Sequence, residues 1–325
     1  MSDEIRLENF MGVASGEKAN MLGKLLYFSL SSLLIDRQAL ADLCESMGIY
    51  YAGAKRLSVV DAFRSATSDV KDRIVSKASG STKIYLVYCR DNQRVSYGNV
   101  SRELVKETLN ADTNRYEKLA NINLDRNSGY FGYDNLVFDA EVDAGKYCRK
   151  AEEMYELYQT CATRKQVETI CMNFLRTMEA TKLSINGHLY FIPRHRMERV
   201  DIFEDFVAAL ATLNKTENPL LANSIYVIDD AKQRDKMTEE FYAAVKKEIA
   251  EYQERADYLI KSGCASPAIL DHWVLKIGAL EEKKRHYENI LRRELDGLDD
   301  EFAALKGYSQ ELTIRARGIR SRKAA

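Results

Sequence analysis

Residues 182–199 read KLSINGHLYFIPRHRMER. This stretch decides the predicted fold, because it contains a turn between two strand-like segments and then the start of a helix. Asn186-Gly187 is the dipeptide that type I′ turns prefer, and strand-like residues stand on either side of it. Pro193 cannot donate a backbone hydrogen bond to a sheet, and it precedes a helix predicted over 195–213. The stretch therefore predicts an antiparallel hairpin that leads directly into a helix.

Two more hairpins and a further strand are predicted outward from this stretch. KIYLVYC (83–89) is rich in β-branched and aromatic residues, and RVSYG (94–98) is its predicted partner. Residues 116–138 form the next hairpin, turned at 127–129, and SIYVID (224–229) is the last strand. The strands and helices do not alternate as a Rossmann or P-loop sheet requires. We therefore predict an α+β fold in which short antiparallel β-hairpins pack with helices.

Helical spacing of apolar residues predicts helices in the first two thirds of the chain as well. They cover 18–47 with Gly48 as a C-cap, 58–76, 101–110 with Ser101 as the N-cap, and 144–181 with a break near Cys161–Thr163. Residues 76–83, rich in Ser and Gly, are the predicted linker between the N-terminal helices and the strands.

The chain is helical in character after Lys232, and a seven-residue repeat begins at Leu270. Gly263 and Pro267 suit the turn of an antiparallel helical hairpin. Lys284 falls within the repeat, where it either selects the partner or extends its ammonium group to solvent. The residues predicted to mediate interaction or oligomerisation are Trp273, Ile277, Leu280, Lys284, Tyr287 and Leu291. The pattern predicts a long C-terminal antiparallel coiled-coil hairpin and a homo-oligomer.

These elements predict four regions. They are an N-terminal helical region (1–80), an α+β body (81–230), a coiled-coil helical hairpin (231–308) and a basic tail (309–325).

The composition is that of a soluble intracellular protein. The net charge is −1, so any contact with nucleic acid has to be local. The six cysteines form no CxxC pair, which favours reduced thiols in a cytoplasm. The most apolar window, residues 25–35, is about half as long as a membrane-spanning helix. We expect a cytoplasmic location in a bacterial host and no contact with a membrane.

Two basic clusters are candidate anion or nucleic-acid sites. The first is Arg194, His195, Arg196 and Arg199, and the second is Arg315, Arg317, Arg320, Arg322 and Lys323. The first lies at a predicted helix start, where backbone N–H groups attract anions, but neighbouring acids also neutralise it. The second either binds a phosphate backbone or is a solvated terminus.

Motifs for enzymatic chemistry are weak. The glycines of GVASGEK (12–18) do not have the P-loop spacing, and the chain has no GxSxG motif. The spacing of the four histidines does not fit a zinc motif, and Asp230 is better explained as a helix N-cap than as a catalytic acid. The aromatic residues of 116–138 either stack bases or fill a core. The sequence therefore predicts no catalytic residue, no metal site and no cofactor.

Two motifs resemble those of a known family. DAFRSAT (61–67) is similar to an Asp-Ala-Phe-Arg-x-Ala motif, and GHLYFIP (187–193) is similar to a hairpin that ends in Tyr-Phe-[Ile/Val]-Pro. Together with the order of elements, they resemble a family of uncharacterised proteins, a domain of unknown function found in phages, bacteria and archaea. The resemblance implies a mobile-element setting and brings no catalytic residues with it.

Three functions remain open from the sequence. The first is a non-enzymatic, phage-encoded or mobile-element-encoded interaction protein that binds a host macromolecule, for example in counter-defence, and self-assembles through its coiled coil. The alternative is a nucleic-acid-binding protein of a replication or recombination system. The third is an enzyme acting on a nucleotide or phosphoester, with roles for Arg194, His195 and Asp230.

Overall fold

The computed structural model describes residues 21–78, 81–92, 99–109, 115–184, 187–216 and 218–324. The strands in these ranges are β1 Met21–Leu30, β2 Leu34–Asp36, β3 Lys71–Ala78, β4 Ser81–Asp91, β5 Asn99–Thr108, β6 Arg115–Asp125, β7 Phe131–Asp134, β8 Cys161–Thr163, β9 Thr181–Lys182, β10 Leu189–Pro193 and β11 Leu220–Ile228. The α-helices are α1 Arg37–Ser46, α2 Val59–Ser68, α3 Ala144–Thr160, α4 Arg164–Thr177, α5 Glu198–Leu213, α6 Ala231–Lys261, α7 Pro267–Leu291 and α8 Asp299–Ala324. Short 3-10 turns cover Arg194–Arg196 and Asp296–Leu298. These elements confirm a mixed fold of helices and antiparallel sheets.

The described chain divides into two compact units. The first, which we call the bundle unit, contains the described residues of 21–30, 171–211 and 219–324. The second, which we call the meander unit, contains those of 31–170 and 212–218. Each unit is built from separate segments of chain, unlike the four consecutive regions predicted from the sequence.

A four-stranded antiparallel sheet of order β11-β1-β10-β9 belongs to the bundle unit. Leu25 pairs with Phe191, and both are buried in a core shared with α6 and α7. The ring of Phe191 lies 6.0 Å from that of Tyr287 on α7. On the other face, the ring of Phe28 meets that of Phe203 on α5 at 5.2 Å. Both faces of the sheet are thus covered by helices.

The helix predicted over 18–47 is wrong for most of the range that is described. Strands β1 and β2 occupy about half of it, and only α1 is helical. Successive residues such as Leu25 and Leu26 are both buried because both faces of the sheet are covered, and a short, fully apolar run fits a helix and a buried strand equally well. Gly23 allows close strand pairing, because a Cβ there would lie 2.0 Å from the Ile192 carbonyl oxygen. The region 1–80 therefore contains strands as well as helices.

The C-terminal helices of the bundle unit pack side by side. Arg293 and Asp235 form an ion pair at 2.7 Å between the end of α7 and the start of α6, so these two helices run antiparallel. Arg320 pairs with Asp271 and thereby joins the end of α8 to the start of α7. The predicted antiparallel helical pair is present as α6 and α7, and α8 is a third member. Coiled-coil packing of the pair stays a prediction.

The seven-residue repeat does not mark one continuous helix. Helix α7 ends at Leu291, and Arg292 then adopts a left-handed conformation with φ = 53°. Leu298 and Leu305 are nevertheless buried in the same core as Leu291, on the 3-10 turn and on α8. The heptad spacing therefore continues from α7 into α8, and the apolar pattern alone did not predict the turn between them. The predicted basic tail is also helical and belongs to α8, through Ala324.

The meander unit contains a five-stranded sheet in which β3 to β7 pair in sequential order. Helices α2 and α3 cover one face, and Phe63 of α2 packs against Phe131 with ring centroids 5.7 Å apart. Ser58 caps α2 by accepting a hydrogen bond from the Asp61 N–H at 3.1 Å. The DAFRSAT motif is thus part of a capped helix that buries Ala62, Phe63, Ala66 and Thr67. Strands β2 and β8 form a separate pair.

The helix predicted over 101–110 is wrong, because strand β5 covers Asn99–Thr108. An irregularity in the pairing of β5 with β6 lies between Leu104 and Val105. It leaves both neighbours fully buried, whereas a regular strand turns neighbouring residues to opposite faces. Two adjacent buried residues imitate the apolar face of a helix.

The remaining elements agree with the sequence in part. The helix predicted over 58–76 ends at Ser68, and strands β3 and β4 occupy most of the predicted linker 76–83. The hairpin over 116–138 and the break in 144–181 are confirmed by β6–β7 and by β8 between α3 and α4. The hairpin that ends at Pro193 is confirmed by the pairing of β9 with β10. The predicted strand 94–98, the GVASGEK segment and Asn186 lie outside the described residues. Within the ranges given above, no helix combines the length and apolar character that a bilayer crossing requires.

Candidate functional site

Glu179 has an unusual backbone conformation at the end of α4. Its φ is 55°, in the left-handed region that normally favours glycine. The Ala180 N–H donates to the Leu175 carbonyl at 3.1 Å, and the Glu179 N–H donates to the Arg176 carbonyl at 3.0 Å. These two bonds form a Schellman motif, whose left-handed position is most often glycine. A glutamate at this position keeps its carboxylate at a cost in backbone energy.

Three side chains converge on the Glu179 carboxylate. Arg196 donates to Oε1 through Nη2 at 2.8 Å and through Nε at 3.3 Å. The other oxygen, Oε2, lies 2.9 Å from His286 Nδ1 and 3.2 Å from His195 Nε2. The carboxylate thereby joins the end of α4, the 3-10 turn after β10 and helix α7. We call these four residues the Glu179 cluster.

A buried hydrogen-bond chain holds the backbone beneath the cluster. The Tyr287 hydroxyl donates to the Glu179 carbonyl oxygen at 2.9 Å and accepts from the Thr181 hydroxyl at 2.8 Å. The Tyr287 ring stacks on Phe241 with centroids 3.9 Å apart. Burial raises the pKa of Tyr287, so the hydroxyl stays protonated and able to donate. The position of Glu179 therefore depends on the core of the helical bundle.

The cluster keeps its carboxylate ionised. Burial disfavours the charge, but hydrogen bonds from Arg196 and His286 outweigh burial and lower the pKa of Glu179. Burial lowers the pKa of His195, with the Arg196 charge acting in the same direction, although Glu179 opposes them. A neutral imidazole and an ionised carboxylate are the forms that bind metal ions. His195 Nε2, His286 Nδ1 and a Glu179 carboxylate oxygen lie within 4.8 Å of one another, which is a donor set for a divalent ion.

A groove with a volume of about 980 Å³ lies beside the cluster, between α4, α6 and α7. Glu179 and Arg196 line one part of it. Its basic side chains are Arg176, Lys182, Arg196, Lys247, Lys276 and Lys283. Its acidic side chains are Glu179, Glu248, Glu251 and Glu282.

Aromatic rings and cations meet at one place in this groove. The Lys276 ammonium lies 4.3 Å from the centroid of the Trp273 ring, and Tyr252 packs edge-on against Trp273 at 5.4 Å. Burial lowers the pKa of Lys276, and the charges of Arg176 and Arg255 lower it further by repulsion, whereas the Glu248 carboxylate raises it. We call Trp273, Lys276, Arg176 and Tyr252, which line the groove, together with the nearby Arg255, the Trp273 patch.

Lys283 is a mostly buried cation that lines the groove. Its ammonium donates to the Ala180 carbonyl at 3.0 Å and lies 3.8 Å from a Glu248 carboxylate oxygen. Burial lowers the pKa of Lys283, although the charges of Glu248 and Glu179 oppose this. The Tyr252 hydroxyl donates to the other Glu248 oxygen at 2.8 Å. Glu248 is thus engaged by two neighbours, which leaves less of its charge to oppose an anion.

The first predicted basic cluster is divided among different partners. His195 and Arg196 contact Glu179, and the Arg199 guanidinium lies over the Phe174 ring at 5.0 Å. Arg194 is exposed on the 3-10 turn. The predicted anion site at the helix start therefore already contains a carboxylate of the same chain.

The second predicted cluster lies along α8. Arg315 pairs with Glu311 at 2.7 Å, and Arg320 pairs with Asp271. Arg317 and Arg322 are exposed, and nothing is described of the Lys323 side chain. Two of these five cations are thus already paired within the chain.

The predicted interaction residues lie mostly in the core of one chain. Ile277, Leu280, Tyr287 and Leu291 are buried together with residues of α6 and α8. Lys284 bridges Glu288 at 3.0 Å and Asp299 at 2.9 Å, and Trp273 lies in the groove. Self-assembly through this seam stays a prediction, and the apolar surface it would use is already covered within the chain.

Asp230 caps α6 by accepting from the Gln233 N–H at 2.9 Å, which confirms its interpretation as an N-cap. In contrast, sequence reasoning missed the Glu179 cluster. Glu179 and His286 are 107 residues apart, and no short motif links them. The signal that the sequence does offer is that His195 follows strand β10 and His286 lies on helix α7, two elements that meet in the bundle core.

A sequence model described as a family of unknown function (DUF6744) matches residues 21–318. The chain is a DUF6744 protein. This match confirms membership of an uncharacterised family across nearly the whole chain. No curated protein and no solved structure matches this DUF6744 protein.

Proposed function

We propose that this DUF6744 protein is a non-enzymatic binding protein that holds single-stranded nucleic acid in the groove between α4, α6 and α7. The observation that carries the proposal is the Trp273 patch, where Lys276 lies 4.3 Å over the indole ring. A nucleotide offers a flat base and a negative phosphate within a few ångströms of each other. Proteins that bind single strands combine stacking aromatic rings with cations along a groove in this way.

The charge balance supports an anionic ligand at this position. Burial lowers the pKa of Lys276, and the positive charges of Arg176 and Arg255 add to this, while the Glu248 carboxylate opposes them. An anion that enters the patch relieves the repulsion among these cations. Because the whole molecule carries a net charge of −1, the attraction is local and should weaken steeply with salt. The proposal follows the nucleic-acid alternative of the sequence analysis and uses a different set of residues.

The direct test uses the fluorescence of Trp273, which is the only tryptophan in the chain. Titration of the full chain with a short oligothymidylate at low salt should quench this fluorescence in a saturable manner, because bases stack on the indole. Absence of both quenching and a change in the anisotropy of a labelled oligonucleotide at low salt would refute the proposal.

Two lysine variants provide the matched comparison. Lys276→Gln should weaken oligonucleotide binding about tenfold or more, because it removes a charge-assisted contact to phosphate. Lys246→Gln changes a lysine of α6 that lies over Tyr242 at 6.0 Å and does not line the groove. It should leave the affinity unchanged. Equal weakening by both variants would mean that binding is not located at the Trp273 patch.

A protein partner is a second candidate, and one observation in the meander unit favours it. Leu136, Val137 and Phe138 follow one another, and their side chains are about half or more exposed, with Phe138 at 93%. Exposed apolar runs often mark interaction sites. If this run binds a host protein or a second copy, Phe138→Ser should abolish the association in light scattering or co-purification without changing the Trp273 quenching. Unchanged association would exclude the run.

Both candidates fit the setting that the sequence suggested. We include in the proposal a cytoplasmic location in a bacterial host, where the thiols remain reduced, and a phage or mobile-element origin. All six cysteines lie in the described part of the chain, and none is in a disulfide. This is the state expected in a reducing compartment.

A further inference from the structure

We propose that Glu179 Oε2, His195 Nε2 and His286 Nδ1 bind one divalent transition-metal ion of the Zn²⁺ class. The sequence predicted no metal site, so this proposal replaces that expectation. It does not depend on nucleic-acid binding in the groove, since different residues and a different measurement carry it.

The distances between the three ligand atoms are compatible with a shared metal ion as well as with hydrogen bonds. Oε2 of one carboxylate lies 2.9 Å from His286 Nδ1 and 3.2 Å from His195 Nε2, and the three ligand atoms are within 4.8 Å of one another. Zinc binds nitrogen and oxygen ligands at about 2.0–2.2 Å, which places neighbouring ligand atoms roughly 3–3.5 Å apart. Two of the three separations already lie near this range. The two imidazoles need only a small rotation to complete it.

The chemical nature of the donors defines the class of ion. Two imidazole nitrogens and one carboxylate oxygen are ligands typical of zinc and of other first-row transition metals. Mg²⁺ and Ca²⁺ prefer sites made mostly of oxygen, so neither should compete well here. Three protein ligands leave at least one position for water, as in open zinc sites. His195 and His286 are each about one third exposed, so an ion can reach the site from solvent.

Arg196 orients the carboxylate for this role. Its guanidinium binds Oε1, the oxygen that does not contact the histidines, at 2.8 Å. This contact turns Oε2 toward both imidazoles and favours a carboxylate that binds the ion through one oxygen. Partners of this kind commonly fix the orientation of metal ligands. Arg196 is therefore a positioning residue, and its charge reduces the affinity relative to an unpaired carboxylate.

The left-handed backbone of Glu179 is consistent with a specific need for the carboxylate. Glycine would adopt φ = 55° with less strain. The alternative explanation is that the cluster is only a set of hydrogen bonds that ties three elements together. The two explanations differ in one measurable respect, which is whether the chain takes up a metal ion with these three residues.

The experiment is a calorimetric titration of the untagged, chelator-treated full chain with ZnCl₂, repeated with CoCl₂ while the visible spectrum is recorded. We expect one equivalent of Zn²⁺ to bind and cobalt to give the absorption band of nitrogen and oxygen ligands. His195→Ala and His286→Ala should each weaken Zn²⁺ binding by more than about 100-fold, since even outer-shell changes cost 10–100-fold. MgCl₂ should give no saturable heat.

Matched controls separate the cluster from other ligands. His272→Ala changes an exposed histidine of the same helix, α7, and should leave the stoichiometry and the affinity unchanged. Cys264→Ser changes the cysteine that is more exposed than the other five, and it should also leave Zn²⁺ binding unchanged. A cobalt spectrum with strong sulfur-to-metal bands would place the ion elsewhere and overturn the proposal.

A thermal measurement keeps the test independent of the folding of the alanine variants. Zn²⁺ should raise the Tm of the wild type, because an ion that binds only the folded state stabilises it. The Glu179→Gln variant keeps the size of the side chain and loses the charge, and it should show a much smaller rise. The proposal fails if the wild type binds no Zn²⁺, or if His195→Ala and Glu179→Gln bind it as the wild type does.

Discussion

Glu179 has an unfavourable backbone conformation, and its side chain makes the contacts that explain why a glutamate stands at this position. Its carboxylate is the meeting point of Arg196, His195 and His286, yet its backbone occupies the left-handed region at the end of α4. Arg292 at the end of α7 has almost the same φ, 53°, but its side chain is 64% exposed and lies 3.5 Å from Asp229. The two residues have the same left-handed backbone conformation, but the Glu179 side chain contacts three partners, whereas the Arg292 side chain is mostly exposed.

This contrast gives a prediction at the scale of the residue. Glu179→Gly should lower the free energy of unfolding by about 1–2 kcal/mol, because the lost charge-assisted hydrogen bonds outweigh the relief of strain. Arg292→Gly should be neutral or stabilising by up to about 1 kcal/mol, since an exposed ion pair contributes little. Urea denaturation of both variants checks this. If Glu179→Gly is as stable as Arg292→Gly, the carboxylate does not hold the cluster together.

The elements show why the sequence predicted some parts of the fold and missed others. The hairpin that ends at Pro193 and the cap at Asp230 depend on local chemistry, so a short window of sequence contains the information. Strands β1 and β5 could not be predicted in this way, because their apolar patterns also fit helices. Both faces of β1 are buried, and the pairing irregularity beside Leu104 leaves two neighbouring residues of β5 buried. The end of α7 lies within an unbroken heptad repeat. Which positions are buried there is decided by helices distant in sequence.

Helix α7 provides a prediction at the scale of the element. Ile277 is buried in the bundle core with 1% exposure, whereas Leu275 on the same helix is 73% exposed. Ile277→Ala should lower the free energy of unfolding by about 2–5 kcal/mol, because it removes buried apolar surface and leaves a cavity. Leu275→Ala should change it by less than about 0.5 kcal/mol. Equal effects in urea denaturation would mean that this face of α7 is not the one covered by the bundle.

The candidate sites needed the tertiary structure for the same reason. The sequence singled out His195 and Arg196 as part of a basic cluster, and it placed Trp273 on a helical seam. It could not bring Glu179 and His286 to His195, because the contact spans 107 residues and depends on how α4 and α7 pack. Likewise, the charges around Lys276 come from α4, α6 and α7 together. The sequence shows which residue types are present, but it does not predict which of them come into contact in the folded chain.

At the scale of the whole molecule, buried thiols predict how stability depends on pH. Burial raises the pKa of Cys89 to about 12 and the pKa values of Cys44 and Cys148 to about 11. Between pH 9 and about 11 the unfolded chain releases all three protons while the folded chain keeps them, and Cys89 keeps its proton up to about pH 12. Stability is therefore complete below about pH 9 and falls above it, by up to about 1.4 kcal/mol per pH unit for each thiol.

Denaturation at a series of pH values checks this dependence. Cys89→Ala should reduce the slope between pH 9 and 12, whatever it does to stability at pH 7. Cys264→Ala changes the cysteine that is only partly buried, and it should leave the slope as it is. A slope that stays the same in Cys89→Ala would show that the buried Cys89 thiol does not contribute to the alkaline loss of stability.

The salt dependence of oligonucleotide binding tests the central claim most directly. The affinity of the wild type, followed by Trp273 fluorescence, should fall linearly with the logarithm of the salt concentration. In Lys276→Gln the magnitude of this slope should be smaller by about 0.7, the value of one phosphate contact on a single strand, and in Lys246→Gln it should be unchanged. Equal slopes in all three proteins, or binding that does not respond to salt, would contradict a phosphate site at the Trp273 patch.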